Sequence, residues 1–310
     1  MRVFVAGASG AIGRPLVAKL VAAGNEVTGM TRSEARAERV RRAGARAVVC
    51  DVFDADSVRA AVQEAGAEVL VHELTSLPDR LDFRDPKIYA ATNRVRTEGT
   101  DVLLDAARAA GARRFVCQSI AFAYRPAGGM VKGEDDPLME DAPGGFGDGV
   151  RALIEMERKV LEAEGLEGLV LRYGFFYGPG TYYAEEGSTT ADVRRHRMPI
   201  VGKGTGTFSF VHVDDAADAT VLAVERGAPG VYNVVDDEPA PMSEWLPAFA
   251  AAAEAKCPRR VPVWLARLVA GRGVATFGLE LRGASNAKAK RDLGWEPALP
   301  SWRRGFAESL

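Results

Sequence analysis

The chain is poor in histidine and cysteine, with three of each in 310 residues. His72, His196 and His212 lie far apart, and the cysteines fit no metal-ligand spacing, so no metal centre is expected. Cys50, Cys117 and Cys257 are also an odd set for a disulfide framework. Cys50 and Cys117 sit in strand-like apolar runs and read as buried thiols, with the cytoplasm as the expected compartment. An excess of either charge is missing too: 40 Lys and Arg against 42 Asp and Glu leave a net charge of −2. That removes any bulk electrostatic case for nucleic acid or an anionic membrane. There is no long hydrophobic run. "VPVWLARLVAGRGVATFG" is broken by Arg267 and Arg272 and is too interrupted to span a bilayer. "MRVFVAGASGAIG" has one basic residue and a glycine-broken apolar run, unlike a signal peptide.

What is present is ordinary for a globular protein: 47% apolar and 26% charged residues, enough for one large domain or two small ones. The first half alternates strand and helix. "RVFVA", "EVTGMT", "ARAVVCD", "AEVLVHEL" and "RRFVCQSI" are strands. Between them run helices: "AIGRPLVAKLVAAG" with Gly24 as C-cap, "EARAERVRRAG", "DSVRAAVQEAG" opened by Asp56 or Ser57, and a long helix through "NRVRTEGTDVLLDAARAAG". "GDGVRALIEMERKVLEAEG" is a further amphipathic helix, and "LEGLVLRYG" and "GVYNVVD" are later strands. The pattern predicts an α/β protein, a Rossmann doubly wound parallel sheet with a smaller, discontinuous C-terminal substrate lobe. Residues 1–175 and 208–236 are assigned to the nucleotide-binding core, and 176–207 and 237–310 to the lobe.

"VAGASGAIG" places Gly7, Gly10 and Gly13 between the first strand and first helix. Gly7 permits the tight turn, Gly10 lets backbone approach a pyrophosphate, and Gly13 lets helix and strand pack closely. The helix N-terminus then offers N–H groups and a positive dipole end to phosphate. The second strand ends in Thr31, Arg32 and Ser33, where an NAD-selective site would carry Asp or Glu. A guanidinium and hydroxyls suit a 2′-phosphate, so NADP(H) is preferred over NAD(H). Asp51 and Val52 end the third strand, where a carboxylate can accept from the adenine amino group and the valine can pack on the ring. "VGKGTG" at 201–206 lacks the phosphate-loop spacing and reads as a turn. Asp214 and Asp215 are placed to cap the helix after His212.

Taken together, "GASGAIG", Asp51-Val52, "EVLVHE", "EGTDVLLDAARAAGARRFVCQS", "LVLRYGFFYGPG", "FVHVDDAADA" and "LGWEPALPSW" resemble the extended short-chain dehydrogenase/reductase superfamily, its NAD(P)-dependent epimerase/dehydratase-like group. The resemblance implies that Gly7, Ser9, Gly10, Ala11 and Ile12 form the phosphate loop. It implies that His72, Glu73 and Leu74 line the ribose and pyrophosphate, and that Gln118 and Ser119 lie under the nicotinamide. Tyr173, Gly174 and Phe175 then match the turn that closes over that ring. A homodimer through helices 87–110 and 149–164 is also implied.

The family's Tyr-x-x-x-Lys device, in which a lysine lowers the phenol's pKa for proton exchange with the substrate, is missing. Counting back from Glu157 places Leu153 at the lysine and Gly149 at the tyrosine. The serine position falls on Ile120, with Ser119 one residue early. The family's Asn-Val-x-Gly-Thr reads Arg96-Thr97-Glu98-Gly99-Thr100, with Asn93 one turn earlier. This marks the chain as an atypical branch. Where sugar-nucleotide members carry an arginine for the diphosphate, Phe208 stands. Phe122, Tyr124, Phe176, Tyr182, Tyr183 and Phe208 are the candidate substrate contacts and suit a flat or apolar ligand. Ser119 and Tyr124 are the candidate catalytic hydroxyls. The expected activity is reduction of a ketone or quinone in an apolar, aromatic substrate by NADPH, assisted by those hydroxyls or by the substrate itself. The alternatives are a sugar-nucleotide epimerase or dehydratase, and a non-catalytic NADP-binding sensor.

Overall fold

A computed structural model describes residues 1–80, 82, 85, 87–270 and 277–310. The end of the apolar stretch around Arg272 lies outside the described residues. Seven parallel strands form the central sheet. In sequence order they are β1 (Arg2–Ala6), β2 (Glu26–Thr31), β3 (Arg46–Val49), β4 (Val69–His72), β5 (Arg114–Ile120) and the strands Glu167–Tyr173 and Gly230–Val234. Across the sheet, Gly230–Val234 is at one edge, followed by Glu167–Tyr173, β5, β4, β1, β2 and β3. The order reverses between β4 and β1, which is where such sheets open a crevice at their carboxyl ends.

The strands read as near-continuous apolar runs because both faces are covered. Alternate side chains sort to opposite faces. Val3, Val5, Val69 and Val71 join Leu16, Val17 and Leu20 of α1 (Gly13–Ala22) and Ala216, Ala219 and Ala223 of the helix Val213–Glu225. Phe4, Ala6 and Leu70 face Val58 and Val62 of the helix Ala55–Glu64, Leu103 and Leu104 of the helix Thr100–Ala109, and Leu153 and Met156 of the helix Gly144–Leu161. Gly24 ends α1 with φ +80°, as the sequence predicts. The start of the helix Ala55–Glu64 differs: Asp54, not Asp56 or Ser57, is the cap, accepting from the Ser57 N–H at 3.1 Å. His212, rather than Asp214 or Asp215, caps the helix Val213–Glu225, its Nδ1 accepting from the Asp214 N–H. Asp215 instead accepts from the Ala298 and Leu299 N–H groups and ties down the C-terminal segment.

A third core is aromatic. Tyr177, Tyr183, Phe208, Phe210, Trp245, Phe249, Trp302 and Phe306 are buried together above the carboxyl end of the sheet. The long helix predicted through residues 93–111 is interrupted: Ala90–Arg94 passes through a π-turn at Val95–Gly99 before Thr100–Ala109. Among the described residues no helix is long and apolar enough to cross a membrane.

Candidate active site

The phosphate loop follows β1 directly. Gly7 has φ +96°, and a Cβ there would lie 2.6 Å from the Glu73 carbonyl oxygen. A Cβ on Gly13 would collide with the Gly7 carbonyl oxygen, so helix and strand meet as closely as the spacing predicts. Gly10 is different, since its Cβ would meet only the Gly7 oxygen, at 3.3 Å. Its outer side therefore faces an open approach. No side chain caps α1 and no acidic residue occupies its first turn. Among the described residues no acceptor meets the N–H of Ala11 or Ile12. These donors at an uncapped helix N-terminus fit a pyrophosphate. Ser9 Oγ pairs with Thr31 Oγ1 at 3.2 Å, joining this loop to the end of β2, where Arg32 is exposed. Asp51 is exposed and holds the Phe53 N–H, while Val52 is buried against the space beside Gly99.

Across the reversal point, His72 ends β4 and Glu73 follows it. Both are buried. His72 Nδ1 accepts from the Leu74 N–H at 3.2 Å, leaving the protonated Nε2 to donate to Thr100 Oγ1. Burial, and secondarily the Arg96 charge, lowers its pKa to about 3, so the ring is neutral. Glu73 Oε1 accepts from the Tyr173 hydroxyl at 3.0 Å, and Oε2 has no partner among the described residues. Burial raises this carboxyl to about 8, against a small opposing effect of the Tyr173 hydrogen bond. An orphaned, protonated carboxyl oxygen here fits a polar group brought by a bound nucleotide. Gln118 Nε2 donates to the Leu74 carbonyl and fixes the strand end. A Cβ on Gly174 would lie 2.6 Å from the Ser209 carbonyl oxygen, so that turn also needs glycine, and Phe175 stacks on Phe122 at 4.1 Å.

The two candidate catalytic hydroxyls belong to a buried chain of polar groups. Ser119 Oγ donates to Glu157 Oε1 at 2.5 Å. Glu157 is held bidentately by Arg172, Nε to Oε1 at 2.9 Å and Nη2 to Oε2 at 2.6 Å. Arg172 Nη1 donates to the Tyr124 hydroxyl, which itself donates to Asn233 Oδ1 at 2.7 Å. Tyr124 has no exposed surface, and burial raises its phenol to about 12. The expectation that Tyr124 donates to, or touches, substrate is therefore corrected: its proton is committed inward. Ser119 is corrected likewise, because its proton goes to Glu157. Arg172 in the otherwise apolar "LVLRYG" was the available signal, since a buried arginine requires a buried carboxylate partner.

The substrate set also divides. Tyr183 and Phe208 are core residues of the aromatic cluster, with Phe208 4.8 Å from Trp245 and Tyr183 5.4 Å from Phe249, ring to ring. Phe176 leans back on Tyr173 at the sheet. Phe122 and Tyr182 remain half-buried, and the Tyr182 hydroxyl donates to the Pro78 carbonyl. Lys159 is turned outward onto Asp101 and Glu155, and Leu153 is buried in the core. Neither supplies a cation at the site.

The sequence profile of the "NAD dependent epimerase/dehydratase family" matches residues 3–234, three-quarters of the chain. The chain belongs to the NAD dependent epimerase/dehydratase family. It is an NAD(P)-dependent oxidoreductase. It is 49% identical over 309 residues to a 3-diazoavenalumate denitrifying reductase of a Streptomyces species, covering 99% of both chains. It is 29% identical over 253 residues to a 4-hydroxy-2-methyl-3-oxo-4-farnesyl-3,4-dihydroquinoline-1-oxide ketoreductase of Stigmatella aurantiaca, covering 79% of this chain and 71% of that one. Among solved structures, the UDP-glucose 4-epimerase of Thermus thermophilus, a complex with NAD, superposes with a TM-score of 0.76 at 26% identity, covering 100% of this chain and 97% of the other.

Proposed function

We propose that this family member is an NADPH-dependent reductase that removes dinitrogen from a diazo-bearing aromatic acid. The observation that carries the reading is the loss of the family's proton-donating pair together with the commitment of both candidate catalytic hydroxyls. Gly149 and Leu153 replace the proton-donating pair, and Ser119 and Tyr124 are bonded into a buried network. The nicotinamide would supply a hydride. An aryl diazonium group accepts that hydride without needing a proton: a C–H bond forms, the C–N bond breaks, and its electron pair leaves on dinitrogen. A carbonyl acceptor develops an alkoxide and does need one, and lost general acid catalysis costs about 10²–10⁴ in rate. A site that lacks the Tyr–Lys pair and has both candidate catalytic hydroxyls committed inward suits the first acceptor, as does the likeness to a denitrifying reductase. The chain's own part is to bind and orient both reactants and to exclude water.

The 2′-phosphate reading rests on Arg32. It is exposed directly after β2, and among the described residues no carboxylate neutralises it.

Carbonyl reduction is the second reading, favoured by one observation. The Glu73 carboxyl, raised to about 8, is protonated at neutral pH with an unpartnered Oε2. It is a proton source that the sequence pattern does not suggest. The test is anaerobic incubation with NADPH and 4-carboxybenzenediazonium, or with aryl ketones and quinones, reading dinitrogen release, nicotinamide oxidation and proton uptake. Dinitrogen in equal amount to oxidised nicotinamide, with no proton consumed, supports the denitrifying reading. Alcohol formation with one proton consumed, abolished in Glu73→Gln, replaces it with the second. NADPH binding with no turnover on any acceptor rejects both and supports a sensor.

A further inference from the structure

The π-turn Val95–Gly99 presents Arg96 toward the helix Gly144–Leu161 at the place where the proton-donating phenol is missing. A Cβ built on Gly149 would have as its nearest neighbours Arg96 Nη1 at 3.6 Å, Asn93 Oδ1 at 3.7 Å and Tyr89 Cγ at 3.9 Å. A guanidinium and a phenol ring therefore stand directly in front of the Gly149 backbone. Arg96 Nη1 meets only neutral acceptors, Asn93 Oδ1 at 3.3 Å and the Gly149 carbonyl at 3.5 Å. Among the described residues no carboxylate pairs with it, whereas the buried arginines Arg114 and Arg172 are paired with Glu167 and Glu157. Burial lowers the Arg96 pKa to about 10, so it remains a cation at neutral pH. The Tyr89 hydroxyl likewise has no hydrogen-bond partner among the described residues, and burial holds it protonated with a pKa of about 12. The guanidinium acts electrostatically on His72 and Cys117, which places it on the side of the β4 and β5 carboxyl ends.

A largely desolvated cation without a counter-ion, beside an unused hydroxyl donor, is an incomplete anion site. We propose that Arg96, with the Tyr89 hydroxyl, binds an anionic oxygen of the substrate, a carboxylate or phenolate, in the place where the family's phenol would stand. Arg96 is thus a specificity-determining residue: the position that would donate a proton to a neutral carbonyl instead anchors an aromatic acid. π-turns within helices are frequent at functional sites, and this one aims Arg96 inward. The inference rests on the reductase reading, because it assumes an aromatic acid beside the nicotinamide.

The test is titration of the full chain, saturated with NADP+, with 4-hydroxycinnamate, its methyl ester and 4-methoxycinnamate. Wild type, Arg96→Gln, Arg96→Lys and Tyr89→Phe are compared, with thermal midpoint and NADP+ affinity measured in each to establish folding. The expected result is binding of 4-hydroxycinnamate by wild type, weakened about 10- to 100-fold in Arg96→Gln and partly restored in Arg96→Lys. If the methyl ester alone loses the difference between wild type and Arg96→Gln, the anchored oxygen is the carboxylate; if 4-methoxycinnamate alone does, it is the phenolate. Binding in a folded Arg96→Gln within about twofold of wild type for all probes, below what loss of a charged hydrogen bond produces, overturns the inference, as does wild type that binds none of them. In parallel, 4-carboxybenzenediazonium turnover separates the two readings. An unchanged KM in Arg96→Gln removes the anchor and leaves the reductase; no turnover by wild type removes the reductase reading itself.

Discussion

The phosphate loop and the helix Gly144–Leu161 flank the same crevice yet have kept different things. The loop keeps every glycine, and its geometry shows why. Gly7 and Gly13 are packed against backbone, so any side chain there displaces main chain rather than a neighbouring side chain. The helix keeps its packing, with Leu153 and Met156 buried, and keeps Glu157, but it carries neither tyrosine nor lysine at the catalytic positions. Holding a nucleotide is a demand on backbone shape that does not change with the reaction. Donating a proton is a demand set by the acceptor, and it lapses when the acceptor needs none. Glu157 has a structural duty of its own, neutralising Arg172 inside the fold.

The contrast can be broken at several points. Glu157→Gln leaves Arg172 buried and uncompensated and is expected to destabilise the fold by about 3–5 kcal/mol; a urea midpoint close to wild type would show that the pair is dispensable. Gly7→Ala forces a side chain onto φ +96° and into the Glu73 carbonyl, and should weaken nucleotide binding by about 100-fold, the equivalent of a strained backbone position costing up to about 3 kcal/mol. Nucleotide fluorescence titration checks this, and wild-type affinity would mean the loop is not the phosphate site. Arg32→Ala should raise the NADPH Kd by about 10-fold or more while leaving that of NADH nearly unchanged; equal changes in both would refute the 2′-phosphate contact. Ser119→Ala should cost about 1 kcal/mol of stability with kcat nearly intact, whereas a collapse of kcat would return Ser119 to the chemistry.

A further effect is in pH dependence. Glu73 is raised by burial from 4.5 to about 8. Across that window the folded chain holds a proton that the unfolded chain releases, so stability falls as pH rises. His72 is lowered by burial from 6.5 to about 3, so the unfolded chain takes up the extra proton and stability falls as pH drops through that range. The two slopes oppose each other between about 4.5 and 6.5. Glu73→Gln should therefore remove the decline between pH 6.5 and 8, leave the rise from about pH 4.5 to 6.5 unopposed and the limb below about 4.5 unchanged; an unaltered decline would show that Glu73 is ionised in the fold.

The sheet was legible because its strands are continuous apolar runs separated by amphipathic helices, and the phosphate loop because its glycines have a fixed spacing between a strand and a helix. Ser119 and Tyr124 were misread for a shared reason. Position after a strand indicates which end of the sheet a hydroxyl occupies, but not whether its proton is taken by a residue distant in sequence, as by Glu157 and Asn233. Tyr183 and Phe208 were misread because an aromatic ring has the same signature in a core as in a ligand pocket. Arg96 was visible only as a lost asparagine; its aim depends on the π-turn, which leaves no periodic trace in the sequence.

The aromatic core has a consequence for synthesis. It takes Tyr177 and Tyr183 from the middle of the chain and Trp302 and Phe306 from far downstream, and Asp236 and Glu238 hold Trp302 by its backbone and indole N–H groups. Chains emerge from the ribosome N-terminal part first. The strands of the central sheet are therefore made before Trp302 and Phe306, and the aromatic core has no complete interior until those two arrive. A nascent chain can assemble its parallel sheet early, but it completes its aromatic core only as its last rings arrive.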